Sequence, residues 1–232
     1  MKKLFGGRSK ATFKPVKKHR NKKRNDLSTM MKATLGTGNM LSTVATPTGE
    51  SLNEWLAVNT VDFFNEVSLL FGLVAGEAAE LYTKQGEGFP PGFEYRWADG
   101  VAIKKPIRCS APEYVDYVMS WVDSQINNEN IFPPSEDVPF PDQFLKYVRD
   151  IFKRLFRVFA IIYSKEPLFN VFEAIEAAPH LNTSFKHFMF FCLQHKLVAE
   201  QEMKAIAAIT APHLDQFAQQ QASGGGAGAS KE

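Results

Sequence analysis

The sequence predicts a mainly α-helical fold with a short β-hairpin, a basic arm before it and a flexible tail after it. Three observations predict this class. Apolar residues recur at helical spacing in several long segments, alternation of apolar and polar residues is confined to one segment, and 20 phenylalanines among 232 residues supply an aromatic core. We expect a disordered arm over residues 1–30, a single domain over 31–219 and a Gly/Ser-rich tail over 220–232.

The net charge of +2 conceals an uneven distribution. Residues 1–24 hold eleven Lys and Arg and no Asp or Glu, which leaves 16 cations against 25 anions, a net charge of −9, for the rest of the chain. An acidic body predicts a basic partner, because complementary charge steers association. The arm could contact nucleic acid or act as a nuclear signal through "KKHRNKKR", or it could fold back on the acidic body.

Compartment and redox state are predicted from two absences. No apolar run approaches the length of a membrane span, and the basic N-terminus lacks the apolar centre of a secretion signal. We therefore expect a cytoplasmic protein, with the nucleus as a further location, and free thiols at Cys109 and Cys192.

The first strong helix is predicted to begin at Ser51, where "SLNE" has the pattern of a capping box with Glu54. Apolar residues that recur at helical spacing should face the core: Leu52, Leu56, Phe63, Val67 and Leu70. Trp55 lies at the edge of this face beside carboxylates. It is either an interface anchor or a core residue, and the pattern does not decide between them.

The segment "FEYRWADGVAIKK" alternates on both sides of Asp99 and Gly100, which predicts a short hairpin with a tight turn. "SAPE" then predicts a second capping box and a helix to about Ile126. Further helices are expected near 168–178, 183–197 and 199–219. We expect Pro212 to kink or end the last of these.

The longest predicted helix starts at Pro141 and Asp142, ends near Tyr163 and separates basic from apolar side chains. Five cations share one arc of the helical wheel: Lys146, Arg149, Lys153, Arg154 and Arg157. The core side is formed by Phe144, Val148, Ile151, Leu155, Val158 and Ile162. Because neighbouring like charges repel, a bound anion such as phosphate would reduce the repulsion among these cations. A solvated face or internal salt bridges are the alternative.

The sequence carries none of the common catalytic signatures. The sequence has no phosphate-binding loop, dinucleotide fingerprint, nucleophile elbow or kinase signature. His187 and His195 lie eight residues apart, too far for two ligands of one zinc ion, and no Cys pair has metal-ligand spacing. The sequence therefore predicts a binding protein rather than an enzyme.

Six segments in order, from about residue 31 to 200, carry a family resemblance: "ATLGTGN", "LNEWLAVNTVDFFN", "WADG", "KKPIRCSAPEYVDYVMSWV", "KRLFRVFAIIY" and "HLNTSFKHFMFF". They closely resemble the Mob (Mps one binder) family of kinase co-activators. The resemblance implies a non-enzymatic adaptor that binds the basic, helical N-terminal regulatory segment of kinases of the nuclear Dbf2-related and large tumour suppressor group. The alternative is the related membrane-traffic branch, a scaffold of a phosphatase–kinase complex. Nucleic acid is disfavoured as a partner.

The resemblance also implies binding and regulatory sites. The kinase-binding surface maps onto Glu50, Glu54, Trp55, Val58, Asp62 and His187. A pocket for a phosphothreonine of an upstream Ste20-like kinase, or of its phosphorylated scaffold, maps onto Lys153, Arg154 and Arg157. Two regulatory phosphorylation sites match Thr12 and Thr34. In the family, phosphorylation there releases an autoinhibitory N-terminal segment from the kinase-binding surface.

The chain departs from the family pattern at one site. Family members typically hold a structural zinc ion with two Cys and two His, and the aligned positions here are Ala78, Thr83, Ile161 and Glu166. None of the four is a Cys or a His, so the resemblance implies that the zinc site is lost. We expect Ala78 and Ile161 to replace it by apolar burial.

Overall fold

The structure is a computed structural model and describes residues 17–35 and 39–224. Within these residues lie nine α-helices and one 3₁₀ turn: α1 Lys22–Leu35, α2 Met40–Val44, α3 Leu52–Leu81, α4 Ala111–Asn127, α5 Phe144–Ser164, α6 Glu166–Ala174, α7 Ala178–His195, α8 Glu200–Met203, the 3₁₀ turn Lys204–Ile206 and α9 Ala207–Gly224. No β-strand occurs within the described ranges. The predicted mainly helical class is confirmed.

Helix α3 lies at the centre of the bundle and contacts α1, α4, α5, α6 and α7. Four of its five predicted core residues are buried, whereas Leu52, in its first turn, is exposed. By length and composition alone α3 could cross a membrane, but 61% of its most apolar window is buried inside the bundle. That burial is typical of the core helix of a globular protein.

The apolar side of α5 packs against α3 and α7 through stacked aromatic rings. All six predicted core residues of α5 are buried, as is the run from Phe159 to Ile162. The Phe152 ring stacks on Phe188 and Phe191 of α7, with centroids 5.4 and 5.5 Å apart. Phe63 of α3 meets Phe152 edge-on at 5.7 Å. These rings fix α5, so its opposite, basic side has a defined orientation.

The predicted hairpin is reduced to one antiparallel bridge between Trp97 and Ile107. The Asp99 carboxylate accepts hydrogen bonds from the backbone N–H groups of Val101 and Ile103, both at 2.8 Å. This side-chain turn replaces the two-residue turn that the sequence suggested and opens the loop. The segment therefore contributes buried aromatic rings, Trp97 among them, rather than a sheet.

The boundary of the arm at residue 30 was wrong. From Lys17 onward the arm packs on the body, and α1 begins at Lys22. Leu27 and Met31, one helical turn apart, are buried and seat α1 on the core. Their signal was hidden by the surrounding charges, since most of α1 is polar. Residues 1–16 lie outside the described part of the chain.

The three sequence signals for helix ends had different outcomes. Glu113 accepts a hydrogen bond from the Ser110 backbone N–H at 2.9 Å, which confirms the second capping box. Ser51 occupies the N-cap of α3, but its side chain makes no cap bond, and Glu54 turns to α1 instead. Pro212 lies inside α9, which continues to Gly224, so it does not end the helix.

Candidate functional site

The three carboxylates predicted to bind a kinase lie in the N-terminal half of α3 and just before it. We call Glu50, Glu54 and Asp62 the acidic face. It is covered by residues 17–35, the covering segment, which comprise α1 and the extended stretch before it. Arg24 contacts Glu54, and Ser28, one turn later in α1, contacts Asp62, further along α3. The two helices therefore run parallel. The chain's own basic residues therefore occupy the surface that the sequence assigned to a partner.

A buried ion pair joins α1 to the acidic face. The Arg24 guanidinium donates to Glu54 through Nε (2.6 Å to Oε2) and Nη2 (3.1 Å to Oε1), and the two residues are 3% and 6% exposed. Arg24 Nη1 also donates to the Pro133 carbonyl at 2.8 Å, and the guanidinium lies 5.3 Å from the Phe140 ring centroid. Every guanidinium nitrogen and both carboxylate oxygens are hydrogen-bonded, which helps a buried ion pair to offset its desolvation.

Asp62 holds a second set of contacts to the covering segment. Its Oδ2 accepts a hydrogen bond from the Ser28 hydroxyl at 2.7 Å, and its Oδ1 lies 3.1 Å from His19 Nε2 and 3.8 Å from Lys32 Nζ. Lys23 Nζ lies 3.0 Å from Glu50. Each carboxylate of the acidic face is thus already paired with a basic group of the same chain.

The stretch before α1 is fixed between α3 and α4. The Lys17 backbone and the Asn65 side-chain amide exchange two hydrogen bonds, of 2.7 and 2.9 Å, and Lys17 Nζ lies 2.7 Å from Asp123 of α4. Arg20 donates to the Ile126 and Asn127 carbonyls at the end of α4. Both the backbone and the side chains of this stretch thus contact α3 and α4, which fixes its position on the body.

Two predicted kinase-binding residues lie in the core rather than on the surface. Trp55 is 1% exposed and donates a 3.1 Å hydrogen bond from Nε1 to the Val44 carbonyl of α2; Val58 is 0% exposed. The exposed-anchor interpretation of Trp55 is therefore wrong for the conformation described. A buried indole with its N–H satisfied is the other outcome that the sequence allowed.

His187 of α7 also lies beneath the covering segment, as the family pattern predicts for a residue near Asp62. It lines a cavity of about 550 Å³ together with Asp62, Glu66 and Ser28, and its ring packs on Phe63 at 4.7 Å. Burial lowers the pKa of His187 to about 4, despite the nearby Asp62, so the imidazole is neutral at neutral pH. Its Nε2 is buried and has no hydrogen-bond partner among the described residues.

The second candidate site is the basic side of α5. Some of its cations form salt bridges within the chain, and others have no such partner among the described residues. Lys153 Nζ lies 2.9 Å from Asp150, three residues earlier, in a half-exposed pair of the kind that contributes little stability. Arg157 donates to Glu202 of α8 through Nε (2.8 Å) and Nη2 (2.6 Å). Internal salt bridges, the alternative considered above, thus account for two of the three predicted phosphate ligands.

Arg157 is held more firmly than Lys153. Its Nη1 lies 3.1 Å from the Tyr114 hydroxyl, and its guanidinium lies 4.7 Å from the Tyr95 ring centroid. Burial alone would lower the pKa of Arg157, but the hydrogen bonds to Glu202 and Tyr114 raise it above the ordinary value. The residue is permanently charged and its orientation is fixed.

Arg154 has a different environment. Its guanidinium lies 4.1 Å from the Trp121 ring centroid and 5.4 Å from Trp97, and it donates to the Asp150 and Ala98 carbonyls at 3.1 and 3.4 Å. Within the described ranges it forms no salt bridge. Burial lowers the pKa of Arg154, yet a guanidinium remains charged at neutral pH. A half-buried cation that is held by aromatic rings and forms no salt bridge suits an anionic ligand.

Sequence reasoning missed the residues that support both sites. Asp150 could have been paired with Lys153 from its spacing of three on one helix. Glu202 lies 45 residues beyond Arg157, and Arg24 lies 30 before Glu54, so no local pattern links them. For these pairs, only the fold brings the partners together.

The predicted phosphorylation site Thr34 lies in the last turn of α1. Its hydroxyl donates to the Met31 carbonyl at 2.8 Å, and its own carbonyl accepts from Thr43 of α2 at 3.2 Å. Thr34 thus lies where α1 ends and the connection to α2 begins. Thr12 lies outside the described residues.

The residues at the family's zinc position do not fit a metal ion. Ala78 and Ile161 are 0% exposed in the core, whereas Thr83 and Glu166 are exposed. None of the four supplies a thiolate or imidazole, and the described residues contain no cluster of His, Cys, Asp and Glu that could hold a metal. Cys109 and Cys192 are both buried free thiols elsewhere in the core, which raises the pKa of each.

Comparison with known proteins identifies the family of the chain. The model of the Mob1/phocein family matches residues 32–206. The chain is 48% identical over 202 residues to MOB kinase activator-like 1 homolog B of Dictyostelium discoideum, covering 87% of this chain and 92% of that protein. It is 46% identical over 217 residues to MOB kinase activator-like 1B of Arabidopsis thaliana, covering 90% and 99%. The chain belongs to the Mob1/phocein family.

Proposed function

We propose that this chain is a non-catalytic adaptor that binds and activates a kinase of the nuclear Dbf2-related or large tumour suppressor group through its acidic face. The observation that carries the proposal is the occupation of that face by the chain's own basic helix. A surface that pairs Arg24, Ser28 and His19 in cis is complementary to a basic helix in trans. The kinase-activator names of the relatives favour this function over the membrane-traffic scaffold.

The covering segment acts in this proposal as an internal competitor. A kinase segment that needs Glu54 and Asp62 must first displace Arg24, Ser28 and His19. The apparent affinity for the kinase is then reduced by the fraction of molecules whose acidic face is covered. Autoinhibition by this segment is thus an equilibrium that a modification of α1 can shift.

Phosphorylation at Thr34 would shift that equilibrium toward release. A phosphate adds about −1.5 to −2 charge at neutral pH and would stand in the last turn of α1, at the negative end of the helix dipole. It would also replace the hydroxyl that donates to the Met31 carbonyl. The proposal includes Thr12 as the second regulatory site.

The basic side of α5 is the proposed phosphothreonine pocket, with Lys153, Arg154 and Arg157 as ligands. The unneutralised charge of Arg154 and the fixed guanidinium of Arg157 support it. The docked partner is an upstream Ste20-like kinase or its phosphorylated scaffold. Together the two sites would join an upstream signal to a kinase in cytoplasmic pathways of the Hippo, mitotic-exit or cytokinesis type.

The kinase-binding proposal is tested by two substitutions at one contact. Asp62→Val removes a carboxylate that the kinase needs, so we expect affinity for the kinase N-terminal segment to fall at least about tenfold, the loss of one charge-assisted hydrogen bond. Ser28→Ala keeps that carboxylate and removes one of its three contacts to the covering segment, so affinity should stay equal or rise. Titration calorimetry with the full chain gives both values. Equal losses in the two variants would contradict the proposal, because they would indicate damage to the fold instead.

We also propose that the protein needs no zinc. Purified protein should contain no stoichiometric zinc by metal analysis, and a chelator should leave the unfolding temperature unchanged. Ile161→Ala should lower the free energy of unfolding by about 2–5 kcal/mol, because a fully buried side chain there replaces the metal. One zinc ion per chain, or chelator-induced unfolding, would disprove this proposal.

A further inference from the structure

We propose that a cleft beside Lys153 selects phosphothreonine peptides that carry an aliphatic residue two positions from the phosphothreonine. The cleft has a volume of about 600 Å³ and lies between α5, the end of α7 and α8. This inference rests on the phosphothreonine pocket proposed above and adds a specificity determinant to it.

The floor of the cleft is apolar. Buried or partly buried side chains form it: Leu193, Leu197, Val198, Met203 and Leu214. No other side chain of the described residues fills this space, so a ligand could remove apolar surface from water there. An aliphatic side chain is the group that such a floor favours.

Charged residues form the rim and limit the class of ligand. Arg149, Lys153 and Lys196 stand against Asp150 and Glu200, which leaves an excess of one cation. Arg149 is held in place by a 3.2 Å hydrogen bond from its Nε to the Lys196 carbonyl, at the left-handed residue that ends α7. A cationic rim continuous with the phosphate ligands suits an anionic peptide rather than a neutral one.

The spacing between the pocket and the cleft fixes the position of the aliphatic residue. Lys153 belongs to both, and Arg149 lies one turn of α5 away, about 6 Å along the helix axis. An extended peptide covers that distance in about two residues at 3.3 Å each. The residue two positions from the phosphothreonine therefore reaches the apolar floor while the phosphate remains at Lys153, Arg154 and Arg157.

Four peptides of otherwise equal sequence test the inference by fluorescence polarisation with the full chain. One has Leu two positions before the phosphothreonine, one has Leu two positions after it, one has Ser at both positions, and one has Leu at both positions but unphosphorylated threonine. We expect one of the two singly substituted Leu peptides to bind about tenfold more tightly than the Ser peptide, as for one aliphatic group in an apolar pocket. The unphosphorylated peptide should bind no more tightly than the Ser peptide.

Two variants complete the test. Ala199→Phe places a ring in the cleft from an exposed lining position, so it should abolish the Leu preference and leave the affinity for the Ser peptide unchanged. Ala208→Phe, an equal change at an exposed position of α9 outside the cleft, should preserve the preference. Equal binding of all phosphorylated peptides would overturn the cleft proposal alone. Binding of none of them would overturn the phosphothreonine pocket together with it.

Discussion

Arg24→Ala should raise the affinity for a basic kinase segment by about tenfold or more, although the substituted residue contacts no partner. The substitution leaves Glu54 buried without its cation, and breaking a buried ion pair in this way costs about 3–5 kcal/mol. That cost falls only on the covered conformation, in which Glu54 is 6% exposed. Release of α1 restores water to the carboxylate, and an arriving cation of the kinase can pair with it.

The size of the gain depends on how completely the face is covered. If the face is open in one molecule of a hundred, the apparent affinity is reduced about 100-fold, and full release would recover that factor. Titration calorimetry would give the affinity, and hydrogen exchange would report whether the α1 amides lose protection. Both readouts should change together.

Lys22→Ala is the matched control for Arg24→Ala. Lys22 lies on the same helix and carries the same charge, but it is exposed, whereas Arg24 is 3% exposed. The control removes one unit of charge without breaking a buried pair, so the affinity should change less than about twofold. If Arg24→Ala lowers the hydrogen-exchange protection of the α1 amides but leaves the affinity for the kinase segment unchanged, the covering segment does not compete with the kinase.

The covering segment also shows what sequence reasoning can and cannot predict for this fold. The apolar face of α5 follows a 3.6-residue period, so its six core residues were identifiable without any contact information. α1 has only two apolar residues, Leu27 and Met31, to mark its buried side. Much of its remaining attachment comes from ion pairs and hydrogen bonds with residues 27 or more positions away. Its charge predicted an affinity for the acidic body, but the helix itself depends on tertiary contacts.

The same distinction applies to the candidate sites. The family resemblance assigned Asp62 and His187 to the kinase-binding surface and Lys153 and Arg157 to the phosphothreonine pocket. In the structure Asp62 and His187 line one cavity, and Lys153 and Arg157 lie one turn apart on α5. The resemblance could not indicate that Trp55 is covered, because burial depends on the position of α1 and α2. The Asp-Gly turn failed for a local reason: the Asp99 side chain satisfies the N–H groups that a tight turn would have left to the backbone.

Arg154→Ala should cause the largest loss of phosphothreonine affinity of any single substitution on α5, about 10- to 100-fold. A hydrogen bond to a charged group contributes about 1.5–3 kcal/mol, and each 1.4 kcal/mol corresponds to a factor of ten. Lys153 forms a salt bridge with Asp150, and Arg157 forms one with Glu202. The carboxylates partly offset the attraction of these cations for a phosphate. Arg154 forms no salt bridge within the described residues, and Asp150 and Asp99 act on it only at longer range, so its charge is the least offset of the three.

The conservative variant separates charge from geometry. Arg154→Lys keeps the cation but loses the planar group that lies 4.1 Å from the Trp121 ring centroid, so it should recover only part of the affinity. Lys146→Ala removes an exposed cation from the same side of α5 and should have little effect. Phosphopeptide affinity should be measured at several salt concentrations, because a contact between full charges weakens as salt rises. If Lys146→Ala and Arg154→Ala reduce affinity equally, the peptide responds to the overall charge of the helix, and α5 has no defined phosphate pocket.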